Sequence, residues 1–272
     1  MNEDDVIKVD VPDKKFRELL EKQINYSIIS LPFTVNRMDI DNITQRIKNT
    51  AKGKLAEALF SYYCEENNID INTKNCQTPF YTVDRHDFIY DGYEWDIKNN
   101  FIYHRGDELS TVKYVDLPAL VPDRYSGDQW SKRIDTLHTS TKGTRFLFSF
   151  MKQADLINGK RKNYFFDLKI NKKQKTHLSR MCNDYQGDTK DDQPFPKLKF
   201  WGKWDKLGNG KRFDLKLRYH PNMYITGWAG KNHWDLFSTI KDKNYHDGVF
   251  YAKIENKECK VKNLPSFKSL IY

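Results

Sequence analysis

The first quarter of the chain carries hydrophobic residues at helical spacing. Four of them recur three and four positions apart: Phe16, Leu19, Leu20 and Ile24. This spacing predicts an amphipathic helix within residues 1–35. A second helical pattern runs from Asp41 to Asn67, and we expect Gly53 to divide it into two helices, because glycine destabilises a helix interior.

Beyond Pro79 the pattern changes to short apolar and aromatic runs, which are typical of strands. Later strands are expected at Arg145–Phe150, Tyr164–Ile170, Arg212–Arg218, Met223–Trp228 and Val249–Ile254. A basic helix is expected near 172–182, a polar loop at 184–196, and another loop between Pro118 and Pro122. Helices followed by mixed strands predict an α/β or α+β fold with a central mixed β-sheet flanked by helices.

The segment 87–98 predicts a β-hairpin, because apolar and aromatic residues flank Asp91-Gly92, a dipeptide favoured in two-residue type I′ turns. This turn sets the cross-strand pairs Tyr90 with Tyr93, Ile89 with Glu94, Phe88 with Trp95, and Asp87 with Asp96. Residues directly opposite share a face, with Cβ atoms about 4.5–5.5 Å apart. Two carboxylates that close repel each other, so a fold that keeps them there usually holds a cation between them. Lys98 lies on the same face as Asp96 by the strand period of two, and the trio suggests a metal-dependent phosphoryl-transfer site.

Composition narrows the class of protein. The chain has 272 residues, of which 14% are aromatic, and a formal net charge of +9. This length and aromatic content support a folded core, and the basic balance favours a polyanionic partner such as nucleic acid. The alternative interpretation of the net charge is that the protein is simply a basic, soluble protein.

Several classes of site and location are disfavoured. The scattered cysteines form no C-x-x-C pair that would indicate a zinc site: Cys64, Cys76, Cys182 and Cys259. The acidic N-terminus does not resemble a targeting peptide, and no run approaches the roughly 20 apolar residues of a membrane helix. We therefore expect a soluble, cytoplasmic protein without a membrane partner.

The triplet acid-x-Lys is by itself a weak signal, because it occurs seven times in the chain. Two other copies, which begin at Asp167 and Asp214, also lie in predicted strands. Asp96 differs from them in having a second acid across a two-residue turn. Glu57, on the preceding predicted helix, supplies a further carboxylate.

These residues resemble the PD-(D/E)xK nuclease superfamily, to which many type II restriction endonucleases belong. The resemblance rests on Gly53-x-x-x-Glu57, Asp87 and Asp96-Ile97-Lys98, and it covers residues 50–105. His86 stands where the superfamily usually has proline. The resemblance implies a restriction-endonuclease-like fold, with the hairpin strands central in the sheet. It further implies one nuclease domain over 1–272, with a helical extension at 1–40, a catalytic core at 41–105, and remaining sheet and DNA-recognition elements at 106–272.

The resemblance also implies a mechanism and partners. Asp87 and Asp96 would hold Mg²⁺, with the Ile97 carbonyl as a further ligand, since Mg²⁺ prefers oxygen ligands and keeps several waters. Lys98 would stabilise the phosphate or position and deprotonate the attacking water. Glu57 would bind a second ion or a metal-bound water. The substrate would be double-stranded DNA, cut by a homodimer, because two-fold symmetry suits a symmetric site.

Each of these residues also has a structural interpretation that involves no catalysis. The charged residues of the hairpin could form a solvated ladder, and Glu57 could be an ordinary acid on a helix surface. Glu94 is more readily an exposed acid than a ligand, and His86 is expected on the opposite face of the hairpin. There is no glycine-rich phosphate loop, because the later glycines are expected in hairpin turns: Gly202, Gly208 and Gly210.

Residues that contact DNA are harder to predict. Asn99 and Asn100 follow the motif directly and could approach the scissile strand. Basic clusters could meet phosphates, although each could equally be a solvated face: Arg124, Lys132 and Arg133, then Lys172 and Lys173. Two other functions remain open, a phage or repair endonuclease with a preference for DNA structure or modification, and a catalytically silent nucleic-acid-binding protein on the same scaffold.

Overall fold

The structure is a computed structural model, which describes residues 1–34, 36, 39–81, 86–104, 113–134, 142–185, 195–241, 243–245, 250–252 and 254–272. The α-helices are α1 (Asp13–Ser30), α2 (Ile43–Glu66), α3 (Lys172–Tyr185), α4 (Lys197–Leu207) and α5 (Lys268–Ile271). A short 3₁₀ helix, Gln129–Ile134, lies close to the predicted site.

The strands before the chain midpoint are β1 (Ile7–Val9), β2 (Phe88–Tyr90), β3 (Tyr93–Tyr103) and β4 (Pro118–Pro122). Then follow β5 (Thr144–Ile157), β6 (Lys160–Lys162), β7 (Phe166–Lys169), β8 (Asp214–Leu217) and β9 (Met223–Ala229). The last are β10 (Ser238–Ile240), β11 (Lys243–Tyr245), β12 (Phe250–Ala252) and β13 (Asn256–Lys260).

The main sheet is mixed and has the strand order β1-β9-β5-β3-β2, with β6 paired to β5. Strands β3 and β5 run parallel, whereas β2, β9 and β1 pair antiparallel with their neighbours. A three-stranded antiparallel sheet has the order β10-β13-β4. Strands β7 and β8 form a separate pair, as do β11 and β12. The expected mixed α/β architecture with a central mixed sheet is therefore confirmed. The expectation that both hairpin strands are central is wrong, because β2 lies at the edge of the main sheet.

Two hydrophobic cores lie on the two faces of the main sheet. Helices α1 to α4 pack on one face, where Trp95 and Leu147 of the sheet are buried among helical side chains. The three-stranded sheet packs on the other face, where Ile102 and Phe146 belong to the second core. Because strand side chains alternate between faces, the odd residues of β3 point to the helices and its even residues to the small sheet.

Helix α2 is continuous, so the expected break at Gly53 is wrong. Gly53 is exposed, and a Cβ atom added there would have no neighbour within 4 Å. The residues on the opposite side of the helix are buried, Leu55 and Leu59 among them. This burial outweighs a glycine cost of about 1 kcal/mol.

Two other local expectations are wrong. Residues 118–122 form the strand β4 rather than a loop. Proline is accepted there because β4 is the edge of its sheet and the two prolines occupy its ends. Gly202 lies inside α4, where Phe200, Trp201 and Trp204 are buried, instead of in a turn. Most of the expected polar loop at 184–196 lies outside the described residues.

Candidate active site

The predicted hairpin is present with the expected register. Asp91 and Gly92 have φ angles of 49° and 72°, which is the pair of positive values that a type I′ turn requires. The ladder pairs Tyr90 with Tyr93, Ile89 with Glu94, and Phe88 with Trp95. The ladder ends at the Phe88–Trp95 pair, so the expected pair of Asp87 with Asp96 is not part of it, and Asp87 is a bend residue immediately before β2.

Asp87 is anchored against the backbone of β3. Its amide donates to the Trp95 carbonyl at 2.8 Å, and its Oδ2 accepts a hydrogen bond from the Ile97 amide at 2.6 Å. The N–H and C=O of one strand residue point to the same edge, so the Ile97 carbonyl also faces the edge where Asp87 lies. Asp87 thus sits beside the Asp96-Ile97-Lys98 triplet, as the motif requires.

Asp96 is buried and lies between two lysines. It is 4% exposed, and Lys98, two positions along the same face, is 8% exposed. The Lys98 ammonium donates to Asp96 Oδ2, and Lys132 Nζ donates to Oδ1 at 2.9 Å. Both carboxylate oxygens therefore accept hydrogen bonds from charged donors. Hydrogen bonds between charged groups are among the strongest in proteins.

The short 3₁₀ helix Gln129–Ile134 supplies two of these contacts. Gln129 Oε1 accepts from Lys98 Nζ at 2.7 Å, and Lys132 reaches Asp96. Side chains three positions apart project together from a 3₁₀ helix, which explains how one turn contacts both charged groups. Gln129 had no sequence signal, and Lys132 was expected at a DNA phosphate rather than at Asp96.

His86 and Glu94 form a buried pair next to the site. His86 Nε2 lies 3.0 Å from Glu94 Oε2, and both side chains are 2% exposed. The expectation that Glu94 is exposed is therefore wrong. His86 lies on the same face as Asp96, not behind the hairpin, because it precedes β2 and the strand alternation does not extend to it.

A cleft of about 680 Å³ runs along the edge of β3 beyond the triplet. One wall is a face of α2 that includes Gly53 and Glu57, and the other comes from β4, the 3₁₀ helix and the segment near β13. Ile97 and Lys98 of the triplet are among the residues that line it. Pockets for small ligands commonly measure roughly 300–1,000 Å³, so the cleft is large enough to hold nucleotide-sized groups.

Glu57 lines this cleft together with Lys98. Its side chain is 30% exposed, and its Oε2 accepts from Lys54 Nζ at 2.8 Å, one turn away on α2. Glu57 belongs to the helix layer, whereas Asp96 points to the opposite layer. The two acids therefore approach the edge of β3 from different sides, and the role of Glu57 stays a prediction.

The walls of the cleft are basic and rich in amides. Among the described residues, three cationic side chains line it, Lys52, Lys98 and Arg161, against one carboxylate, that of Glu57. The amide side chains on its surface include Gln45, Asn49, Asn99, Asn100, Gln153 and Asn256. Amides can both donate to and accept from a ligand, and this lining suits an anionic, hydrogen-bonding ligand such as a nucleic acid.

Asn99 and Asn100 lie on the cleft surface, as expected from their position after the motif. Asn99 Oδ1 accepts from Ser149 at 2.9 Å. The Nδ2 atoms of both asparagines are buried and have no hydrogen-bond acceptor within the described part of the chain. An unsatisfied buried donor is costly, so a ligand that offers an acceptor here would gain affinity once the side chains turn toward it.

The other expected DNA contacts are not gathered at the cleft. The Arg124 amide and guanidinium approach Asp128, and the Arg133 guanidinium lies 4.6 Å from the Trp130 ring. Lys172 and Lys173 are exposed at the start of α3. Their contacts with DNA stay predictions.

The two other acid-x-Lys triplets in strands, which begin at Asp167 and Asp214, lie opposite each other in the β7–β8 pair. Asp167 lies opposite Lys216, and Lys169 lies opposite Asp214. Opposite charges directly across a strand pair stabilise it modestly. Asp167 also accepts two hydrogen bonds from Arg218 on the surface. These acids therefore have a structural explanation as members of charge pairs on the β7–β8 strands.

The residues around Asp96 can accommodate a hard divalent ion. No three acidic, histidine or cysteine side chains cluster as a ready-made metal site within the described parts of the chain. Mg²⁺ does not require such a cage, because it binds through one or two carboxylates and retains waters. Asp87, Asp96 and the Ile97 carbonyl are the oxygen donors that such an ion would use, and Lys132 would have to leave Asp96 Oδ1.

The chain shows little similarity to known proteins. No protein-family profile and no solved structure matches the chain. It is 30% identical over 67 residues to the chromosomal replication initiator protein DnaA of Helicobacter hepaticus. That match covers 24% of this chain and 15% of the DnaA protein. Separately, none of the helices in the described segments is long and apolar enough to cross a membrane.

Proposed function

We propose that this protein is a Mg²⁺-dependent endonuclease that hydrolyses double-stranded DNA, in the manner of type II restriction enzymes of the PD-(D/E)xK kind. The single observation that carries the proposal is the hairpin. Its turn places Asp87 against Ile97 and brings Asp96 and Lys98 to one face, beside a basic cleft. A restriction-endonuclease-like fold, a homodimer and Glu57 as an additional acid belong to the same proposal and rest on the sequence resemblance.

The proposed roles follow from the chemistry of phosphodiester hydrolysis. The reaction needs charge stabilisation on the phosphate, an activated water and a protonated leaving group. Asp87 and Asp96 would bind Mg²⁺, which would supply Lewis-acid stabilisation of the phosphate. Lys98 is held by Asp96 and Gln129 with its ammonium at the cleft. It would therefore donate to a phosphate oxygen or to the attacking water.

DNA as the substrate is supported by three observations of unequal weight. The described lining of the cleft carries three cations against one acid, and the chain as a whole has a net charge of +9. Phosphate contacts by lysine and arginine dominate the affinity of proteins for DNA. The partial likeness to a replication initiator, whose named role concerns the chromosome, points in the same direction over a quarter of the chain.

The test is cleavage of plasmid and phage DNA by the purified full-length chain with Mg²⁺ or Mn²⁺. Discrete fragments indicate a sequence-specific enzyme, and a smear indicates a nonspecific one. Asp96→Asn and Lys98→Met should each lower the cleavage rate on the order of 10²-fold or more, since each removes a charge at the reacting phosphate. Asp96→Asn should still bind a DNA duplex in Ca²⁺.

The matched control is Asp167→Asn, which changes the same residue type in the same acid-x-Lys setting on β7. Its cleavage rate should stay within a few-fold of the wild type. Circular dichroism confirms that each variant is folded. Full activity of Asp96→Asn excludes the proposed site, and loss of activity in folded Asp167→Asn means that the wrong triplet was chosen.

A second function is favoured by one observation, the pairing of both Asp96 oxygens with lysines. A site neutralised in this way would suit a nucleic-acid-binding protein without catalysis. The same assay separates the two functions. Binding of duplex DNA without cleavage under Mg²⁺ and Mn²⁺ supports the binding protein and excludes the nuclease.

A further inference from the structure

The charges around the hairpin site already balance without a metal ion. Asp87 and Asp96 contribute two negative charges and Lys98 and Lys132 contribute two positive charges, while the adjacent buried acid Glu94 is paired with His86. A divalent ion placed on the two carboxylates would leave the site with excess positive charge in a partly buried setting, where charge repulsion is strong. Binding of the ion therefore requires that one ammonium group leave Asp96 or that an anion enter.

The two lysines differ in how firmly they are held. Lys98 is 8% exposed, donates to both Asp96 and Gln129, and lies 5.0 Å from the Phe146 ring centre. The Lys132 side chain is 19% exposed and projects from the surface-bordering 3₁₀ helix, whose last residue Ile134 is 67% exposed. Lys132 is thus the lysine with room to move.

We propose that Lys132 competes with the divalent ion for Asp96 and couples metal binding to DNA binding. In the metal-free protein its ammonium occupies Oδ1 of Asp96. When the ion binds, Lys132 moves to a DNA phosphate, so each ligand strengthens the binding of the other. This inference rests on the proposed function, because it assumes that the ion binds at Asp96.

The coupling follows from charge balance and from thermodynamic linkage. A phosphate offsets the positive charge that the ion adds, and it offers Lys132 a new anionic partner. Any factor by which DNA tightens the binding of the ion must equal the factor by which the ion tightens the binding of DNA. Such couplings commonly amount to about 5–150-fold.

The experiment measures Mn²⁺ binding to the full-length protein by electron paramagnetic resonance, which reports free Mn²⁺ independently of cleavage. Wild type and Lys132→Met are titrated without DNA and with a short mixed-sequence DNA duplex. Methionine keeps most of the length of the lysine side chain and removes its charge. Without DNA, Lys132→Met should bind Mn²⁺ on the order of tenfold more tightly than the wild type. DNA should tighten Mn²⁺ binding in the wild type by a similar factor, and much less in the variant.

The control is Lys142→Met, which removes the partner of another acid of the same hairpin, Asp91, at 3.5 Å on the surface. It should leave Mn²⁺ affinity and the effect of DNA unchanged. Lys132→Gln provides a second neutral variant if Lys132→Met is poorly folded. Unchanged or weaker Mn²⁺ binding in both Lys132 variants overturns the inference.

Asp96→Asn separates this inference from the proposed function. If Asp96→Asn loses Mn²⁺ binding while the Lys132 variants match the wild type, the coupling is wrong and the metal site stands. If wild type, Lys132→Met and Asp96→Asn all bind Mn²⁺ equally or not at all, both the coupling and the proposed metal site fail. Tighter binding in Lys132→Met that disappears in the double variant with Asp96→Asn supports the inference.

Discussion

Replacing Asp96 by asparagine should destabilise the fold, because the carboxylate is the partner of two lysines. Asp96 is 4% exposed and Lys98 is 8% exposed, so the lysine would keep its charge in a site with little water. Removing one partner of a buried ion pair costs about 3–5 kcal/mol. Asparagine still offers one acceptor oxygen, and Lys132 can turn to solvent. We therefore expect the lower end of that range, about 3 kcal/mol of unfolding free energy.

Urea denaturation followed by tryptophan fluorescence and circular dichroism measures this loss. The dependence of the free energy on urea should not change, since the same surface is exposed on unfolding. Asp167→Asn is the matched control. Its partner Arg218 is exposed, and an exposed ion pair contributes about 0–1 kcal/mol. The reasoning is refuted if Asp96→Asn is as stable as the wild type or more stable. Repulsion between the two carboxylates of the hairpin would then outweigh the attraction of the lysines.

Two further predictions concern α2. Gly53→Ala should raise the unfolding free energy by roughly 0.5–1 kcal/mol, because alanine is the better helix former and the added Cβ meets no neighbour. Urea denaturation measures this change, and a loss of stability would contradict the prediction. Burial raises the pKa of the Cys64 thiol to about 12, whereas the pKa of an unfolded cysteine is near 8.5. The neutral thiol therefore contributes its full free energy of folding below pH 8.5, and this contribution is lost as the pH rises toward 12. Iodoacetamide at pH 8.5 should accordingly label the partly exposed Cys76 before Cys64 in peptide mass spectra, and equal labelling would count against this pKa.

The parts of the site that the sequence predicted are local. The Asp91-Gly92 turn determines its own backbone conformation and therefore the register from Tyr90 back to Phe88. Period-two alternation then places Asp96 and Lys98 on one face. These inferences involve residues close in sequence, where backbone geometry leaves few alternatives.

The contacts that the sequence did not predict depend on distant segments. Gln129 and Lys132 reach the hairpin from a 3₁₀ helix more than thirty positions away, and no local rule pairs them with Lys98 and Asp96. Glu94 is likewise buried against His86, a contact that period-two alternation alone did not predict. Tertiary packing also overrode local propensity at Gly53, where the helix continues.

One margin of strand β3 is only partly paired with β2. Strand β2 accompanies β3 as far as Trp95, whereas β3 continues to Tyr103, and the described residues provide no strand that pairs with the rest of that margin. This margin lies in the cleft between α2 and the small sheet, and unpaired strand margins can join with extended segments of other molecules. Here the positive charges of Lys52, Lys98 and Arg161 surround it, so approaching copies of this basic chain repel one another. Added salt shortens the range of that repulsion and should favour self-association along this margin.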